Sequence, residues 1–338
     1  MRQGWDLRPG ADRQAPAMTP PQSDVCRCAP TTSGRAHPGT LLSALLCWLD
    51  ARSRGARLIL RLEDLDRERC HPEFASGLCN DFSWFGLDWD AVEYQSAHSA
   101  GHAAALDRLA AAGRLYPSAT SRRELAQGGR RAPDGSWAYD NHERGRPLPA
   151  DDWRGCRESI RCRLDDQLIE LRDESGLDLS QHPAAAAGDP IVVRRDGVVA
   201  YQLAVVVDDA RIGVNRIERG RDIAPGTAGQ VALQRLLGLP TPTYRHHLVL
   251  WEHTAQRKLS KSHGAIAAPA LRASYDAAGL CGFLACCAGL IAEQRPCTPR
   301  ELIGPFAWDR VRTADQTLRW DGRRLEVMRT AADESFTR

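Results

Sequence analysis

The sequence predicts an α/β fold: a parallel sheet with helices on its faces, interrupted by an inserted α+β subdomain and followed by a short helical C-terminal region. Three observations predict it. Strand-like and helix-like segments alternate over residues 25–115 and again over 186–262. Between them, residues 116–185 lose this alternation and become polar and loop-rich. Beyond 262 the apolar spacing is mainly helical.

The elements follow in order. Residues 1–24 are rich in Pro, Gln, Asp and Arg, lack the apolar centre of a signal peptide and read as a disordered tail, with Met1 and Met18 both possible starts. "VCRCAP" (25–30) reads as a short strand. "PGTLLSALLCWLDARSRG" (38–55) has helical apolar spacing, with Pro38 in the first turn and Gly55 at the stop. "ARLILRLEDLD" (56–66) reads as a buried strand ending in carboxylates, and helices are expected near 72–85 and 97–112. In the insertion, "ESIRCRL" and "QLIELRD" read as antiparallel strands. "IVVRRDGVVAYQLAVVVDDA" reads as a hairpin with an Asp-Gly turn running into a helix. "GVNRIERG" is then a strand, "APGTAGQVALQRLLGL" a helix and "TYRHHLVLW" another strand.

Composition excludes several classes. With 45 Lys plus Arg against 43 Asp plus Glu the net charge is only +2, so no global basic field marks a nucleic-acid binder, and such contacts would rest on local arginine clusters. The insertion holds arginines 122, 123, 130, 131, 144, 146, 154, 157, 161 and 163. Arg122, Arg123, Arg130 and Arg131 are candidates for RNA phosphate contacts, and the interleaved acids fit a solvated face equally well. No apolar run reaches the length of a membrane span. The eleven cysteines lack any Cys-x-x-Cys pair and read as small buried hydrophobes of a reducing cytoplasm.

Two stretches carry chemistry. "QRKLSKSHG" (256–264) contains Lys258 and Lys261, the only lysines of an arginine-biased chain. Lysine is a compact, mobile point charge, suited to a phosphate whose geometry changes, and the Ser and Gly neighbours allow the loop to move. "APTTSGRAHPGT" (29–40) follows a strand and opens a helix, placing His37 where a helix N-terminus favours anions. Two such halves make a Rossmann-like sheet able to close over one triphosphate at the carboxyl ends of its strands.

"HPGT" and "KLSKS" resemble the HIGH and KMSKS signatures of class I aminoacyl-tRNA synthetases. "RCAPTTSGRAHPGTLLSAL", "LRLEDLD", "YQS" (94–96), "AYQLAVVVDDARIGVNRIERGRD" and "TAGQVALQRLLGLPTPTYRHH" resemble, in order, the glutamyl branch of that family from about 25 to 262. The 76 residues after the lysine loop are too few for a helical anticodon-binding portion. The resemblance is therefore to the short paralogues, the glutamyl-queuosine tRNA(Asp) synthetases.

That resemblance implies activation of L-glutamate with ATP and Mg²⁺ without tRNA, then transfer to queuosine at the wobble position of tRNA(Asp), by a cytoplasmic enzyme expected to be a monomer. It implies that Arg27, Thr31, Glu63, Tyr201 and Arg219 bind glutamate, and that His37, Gly39, Lys258, Ser260 and Lys261 bind ATP. Among these, His37 and Lys261 carry catalysis. Cys28, Thr32 and Arg35 depart from the family pattern. So do its zinc positions, which read Ser118, Thr120, Tyr139 and Glu143, so zinc is expected to be absent. Three alternatives stay open: another nucleotidyltransferase, a non-catalytic tRNA-binding paralogue, and a truncated glutamyl-tRNA synthetase charging tRNA(Glu).

Overall fold

The first α/β unit starts at β1 (Val25–Cys28) and crosses through α1 (Pro38–Arg54) to β2 (Arg57–Leu62). α1 begins with proline and stops at Gly55, whose φ of 65° is the left-handed conformation that glycine adopts without strain. The unit continues through α2 (Pro72–Phe85), β3 (Ala91–Tyr94) and α3 (Ser99–Ala111). The chain is described by a computed structural model over residues 24–150, 152–253 and 266–328, and over the backbone of 257–258.

β4 (Leu115–Ser118) then leaves this sheet and pairs antiparallel with β5 (Ser159–Cys162), which pairs in turn with β6 (Ile191–Val193). The short helices α4 (Arg122–Gly128) and α5 (Pro183–Ala186) lie within this unit. "QLIELRD" contributes only the isolated bridges Ile169–Gln181 and Arg172–Asp178, not a continuous strand. The Asp196–Gly197 turn closes as expected, with Val193 bridging Val199. The chain re-enters the main sheet through α6 (Tyr201–Ile212), β7 (Arg216–Gly220), α7 (Thr227–Leu236) and β8 (Thr243–His247).

The main sheet is wholly parallel in the order β3-β2-β1-β7-β8. α1 and α2 cover one face with Leu41, Leu45, Trp48, Leu78 and Phe82, while α3, α6 and α7 cover the other with Leu106, Leu203, Val206 and Leu233. Each such leucine contributes roughly 1.5–3 kcal/mol when fully buried. The order reverses between β1 and β7, and such a reversal opens a crevice at the carboxyl ends of the strands.

"TYRHHLVLW" is not one strand. β8 ends at His247, and β9 (Leu250–Glu252) belongs to a second sheet. Asp315 accepts the Val249 N–H at 2.9 Å and draws the chain away from the parallel sheet. β9 pairs with β10 (Arg257–Lys258), the backbone entering the lysine loop. The C-terminal region is helical through α8 (Ala268–Ser274), α9 (Ala277–Ala288) and α10 (Pro299–Ile303). It then adds a hairpin that helical spacing does not anticipate. β11 (Gln316–Trp320) and β12 (Leu325–Met328) extend the β9–β10 sheet, with β11 parallel to β9. Among the described residues, no helix is long and apolar enough to cross a membrane.

Gly188 fixes how the insertion closes. Its φ is +88°, and an added Cβ would lie 2.2 Å from the Tyr139 carbonyl oxygen. Gly188→Ala is expected to destabilise this unit by about 2 kcal/mol or more, since strain and overpacking add. Urea unfolding measures the loss, and an unchanged midpoint would refute it.

Candidate active site

The crevice at the sheet reversal is a cavity of about 550 Å³. Its wall brings together Arg27, Thr31, His37, Gly39, Glu63, Tyr201 and Arg219, which are dispersed over nearly two hundred positions of the chain. Small-molecule sites typically measure roughly 300–1,000 Å³.

Each residue arrives by a local route. Arg27 lies near the end of β1, and Arg219 near the end of β7. Beyond the strand ends, Thr31 bridges Glu63, with the Glu63 N–H donating to Pro30 O at 3.1 Å and Thr32 N–H to Glu63 O at 3.0 Å. Those bonds carry the β1–β2 pairing into the loop and hold Thr31 beside Glu63. Tyr201 opens α6 and keeps 40% of its surface accessible.

His37 is the N-cap of α1, its Nδ1 accepting the Thr40 N–H at 3.3 Å. A neutral ring bonded this way carries its proton on Nε2, as a donor. A Cβ on Gly39 would stand 3.0 Å from His37 Cε1, so glycine leaves room for the imidazole over the helix start. The helix N-terminus adds partial positive charge.

The walls hold an unusual charge arrangement. Arg27 and Arg61 are 3% and 0% exposed and share the carboxylate of Asp209, on α6. Arg61 also donates to Glu63 at 3.2 Å. Burial pushes Glu63 up from the usual carboxylate range, and Arg61 opposes this. Burial also raises Asp209, but Arg61 and Arg27 outweigh it and hold Asp209 low.

Arg219, 5% exposed, donates among the described residues to three neutral groups: His246 Nε2 at 3.0 Å, Gln230 Oε1 at 2.8 Å and Thr227 Oγ1 at 2.7 Å. Among the described residues no carboxylate lies within ion-pair distance of it. Glu218 also lines the cavity; burial and the adjacent Asp50 raise its carboxyl group above the usual range, and its Oε1 lies 3.0 Å from Arg216 Nε. With Glu218 taken up by Arg216, the buried guanidinium groups of Arg27, Arg61 and Arg219 have two carboxylates between them, Asp209 and Glu63, a local excess of positive charge that an anionic ligand would neutralise.

Cys26, Asp50 and Glu218 offer ligand atoms within 4.8 Å of one another, the one such group of metal-capable side chains among the described residues. Arg216 already pairs with both carboxylates there, and burial drives the Cys26 thiol upward, so the group does not fit a resident cation.

The zinc-position residues also converge. Glu143 Oε2 accepts from Ser118 Oγ at 2.5 Å, Thr120 Oγ1 at 2.8 Å and Tyr139 OH at 3.2 Å. Of the candidate phosphate contacts, Arg130 donates to the carbonyls of Ala185, Ala186 and Tyr139, and Arg131 stacks on Trp137. Those two serve the insertion's own structure, while Arg122 and Arg123 stand exposed on α4. Ser260 and Lys261 lie outside the described residues, as does the Lys258 side chain.

Asp209, His246 and Asp173 were not foreseen as members of the site. The pair Asp208–Asp209 inside an apolar helix was the available signal, because buried carboxylates require partners.

Comparison with known proteins agrees with this geometry. Residues 25–279 match the family of class I tRNA synthetases (E and Q), catalytic domain. The chain is 44% identical over 250 residues to the glutamyl-Q tRNA(Asp) synthetase of Thiobacillus denitrificans, covering 74% of this chain and 81% of that protein. It is 39% identical over 302 residues to the one from Symbiobacterium thermophilum, covering 84% and 93%. In fold it is similar to a glutamate tRNA ligase from Elizabethkingia meningosepticum crystallised with its amino acid, at a TM-score of 0.73 and 22% identity over 88% of this chain and 67% of that one. The chain therefore belongs to the glutamyl-Q tRNA(Asp) synthetase family, a branch of the class I (E and Q) tRNA synthetases, and is a ligase of that kind.

Proposed function

We propose that this enzyme activates L-glutamate with ATP to glutamyl-adenylate without tRNA, and then transfers the glutamyl group to queuosine in tRNA(Asp). The observation that carries this reading is the cavity wall, where Arg27, Thr31, Glu63, Tyr201 and Arg219 meet the N-terminus of α1. The excess guanidinium charge suits an amino acid with two carboxylates. Thr31 and Tyr201 supply hydroxyls, and Glu63 an acceptor for the α-ammonium.

In the first step the glutamate α-carboxylate oxygen attacks the α-phosphorus of ATP and pyrophosphate leaves. In the second, a queuosine hydroxyl attacks the activated carbonyl and AMP leaves. His37 Nε2–H and the α1 backbone N–H groups, with Lys258, Ser260 and Lys261, would bind phosphate oxygens as charge develops. Mg²⁺ would enter with the nucleotide and neutralise phosphate charge, and no carboxylate of the described cavity is assigned to it. The insertion works without zinc in this reading, because Glu143 joins the side chains that a metal would otherwise join.

The test is glutamate-dependent ATP–pyrophosphate exchange without tRNA, beside Lys261→Ala. Exchange should require glutamate and fall at least about a hundred-fold in the variant, the usual cost of one transition-state donor. Labelled glutamate should then enter tRNA(Asp) only when queuosine is present. No exchange by folded protein would favour a non-catalytic tRNA-binding paralogue, and charging of tRNA(Glu) would favour a truncated glutamyl-tRNA synthetase.

A further inference from the structure

Resting on the reading of Arg219 as a glutamate contact, we propose that Asp173 and His246 are positioning residues that fix the guanidinium plane of Arg219, so that the insertion helps to set amino-acid affinity. Asp173 lies in a turn of the insertion, and both of its oxygens are occupied. Oδ1 accepts from Ser175 N at 2.9 Å, Ser175 Oγ at 2.7 Å and Leu177 N at 2.9 Å. Oδ2 accepts from His246 N at 2.9 Å and is 2.8 Å from His246 Nδ1. A carboxylate offers no donor, so Nδ1 must carry the proton, leaving Nε2 as the acceptor. That lone pair receives Arg219 Nε–H at 3.0 Å.

The chain of contacts is thus directional: carboxylate, imidazole with a fixed tautomer, guanidinium. A protonated imidazole would place N–H against N–H. Burial and Arg219 together hold His246 down to about 4, against the pull of Asp173, so the ring is neutral near pH 7. His246 and Asp173 are 3% and 5% exposed, and neither lines the cavity. Their influence on a ligand must therefore pass through Arg219, whose other two nitrogens are held by Gln230 and Thr227. Without the His246 acceptor the guanidinium keeps two of its three fixed bonds and can rotate out of plane.

Two substitutions of His246 separate positioning from packing. His246→Asn retains a donor for Asp173 and removes the acceptor for Arg219. His246→Gln reaches far enough to restore an acceptor while giving up the Nδ1–H donor. Glutamate affinity by titration calorimetry and the KM values in pyrophosphate exchange are measured on the full chain. Positioning predicts a glutamate KM raised roughly ten-fold or more in His246→Asn and only partly recovered in His246→Gln, whose acceptor Asp173 no longer orients through Nδ1–H, with the ATP KM unmoved in both. Wild-type glutamate affinity in His246→Asn would overturn the proposal, as would glutamate and ATP constants that worsen together. If the wild-type protein binds no glutamate, the reading of Arg219 fails first and the proposal falls with it.

Discussion

Arg219→Leu is expected to abolish glutamate use while leaving the protein folded. In most buried ion pairs the removal of one partner strands the other charge, and stability suffers. Arg219 has no such partner among the described residues. Its three acceptors are neutral, and two keep other bonds: Thr227 Oγ1 donates to Ala224 O at 2.6 Å, and Gln230 Nε2 to Gln202 Oε1 at 3.0 Å. Burial lowers the affinity of Arg219 for its proton, the mark of a cation held at a cost to the folded state. Replacement by leucine removes that cost, loses three hydrogen bonds and should leave the melting temperature within a few degrees. For the substrate the consequence is opposite. A carboxylate entering a low-dielectric cavity would find its cation gone, a loss of about 4 kcal/mol, or roughly a thousand-fold in kcat/KM for glutamate. Arg219→Lys should recover little, because one ammonium cannot bond in three fixed directions and still face a ligand. Pyrophosphate exchange beside differential scanning fluorimetry reads both quantities. A folded Arg219→Leu variant within ten-fold of wild-type kcat/KM would remove Arg219 from the binding site.

The motif residues of this site were legible in sequence, and what holds them was not. Arg27, Glu63 and Arg219 stand out by type and place, at or just past the ends of strands. Their partners are chosen by tertiary structure: Asp209 lies 182 positions from Arg27, and Asp173 lies 73 from His246. No local pattern announces such pairs. The same division runs through the fold. α1 and α2 match their expected spans because capping and apolar period act within a few residues. The break between β8 and β9 depends on Asp315, 66 positions from Val249, and escapes any local reading. The C-terminal hairpin was more accessible. Asp321–Gly322 carries the same turn chemistry as Asp196–Gly197, with Asp321 Oδ1 accepting from Arg323 N and Arg324 N and Gly322 at φ +96°. Its short, polar strands hide it, since only Leu318 and Leu325 are buried.

Glu143→Ala is expected to cause the largest stability loss in the insertion. Besides the three hydroxyls on Oε2, Oε1 accepts from Ala119 N and Arg146 Nη1, each at 3.0 Å. Ser118 and Tyr139 are almost fully buried, so the truncation leaves their hydroxyls facing a void instead of water. The cost should be about 3 kcal/mol or more. The pH dependence follows from the same bonds. Burial alone would raise Glu143, but the hydrogen bonds from Ser118, Thr120, Ala119 and Tyr139 outweigh it and hold the group at about 2. A carboxyl group depressed in the folded state stabilises above its unfolded pKa of 4.5, and that contribution is lost as pH falls through about 2. The interval corresponds to about 3 kcal/mol at most, full near pH 6 and fading through the acid range. Urea unfolding from pH 6 to pH 2.5 should therefore bring wild type and Glu143→Ala together as pH falls. Parallel curves would show that the carboxylate charge contributes nothing. Because the three hydroxyls converge on one oxygen, Ser118→Cys and Thr120→Cys combined with Glu143→Cys should place three thiolates beside the Tyr139 hydroxyl. Zinc should then stabilise that triple variant and leave wild type unmoved, since a carboxylate closed by hydrogen bonds offers a metal too few ligands. Zinc stabilisation of the wild-type protein would show instead that the metal-binding capacity survives these replacements.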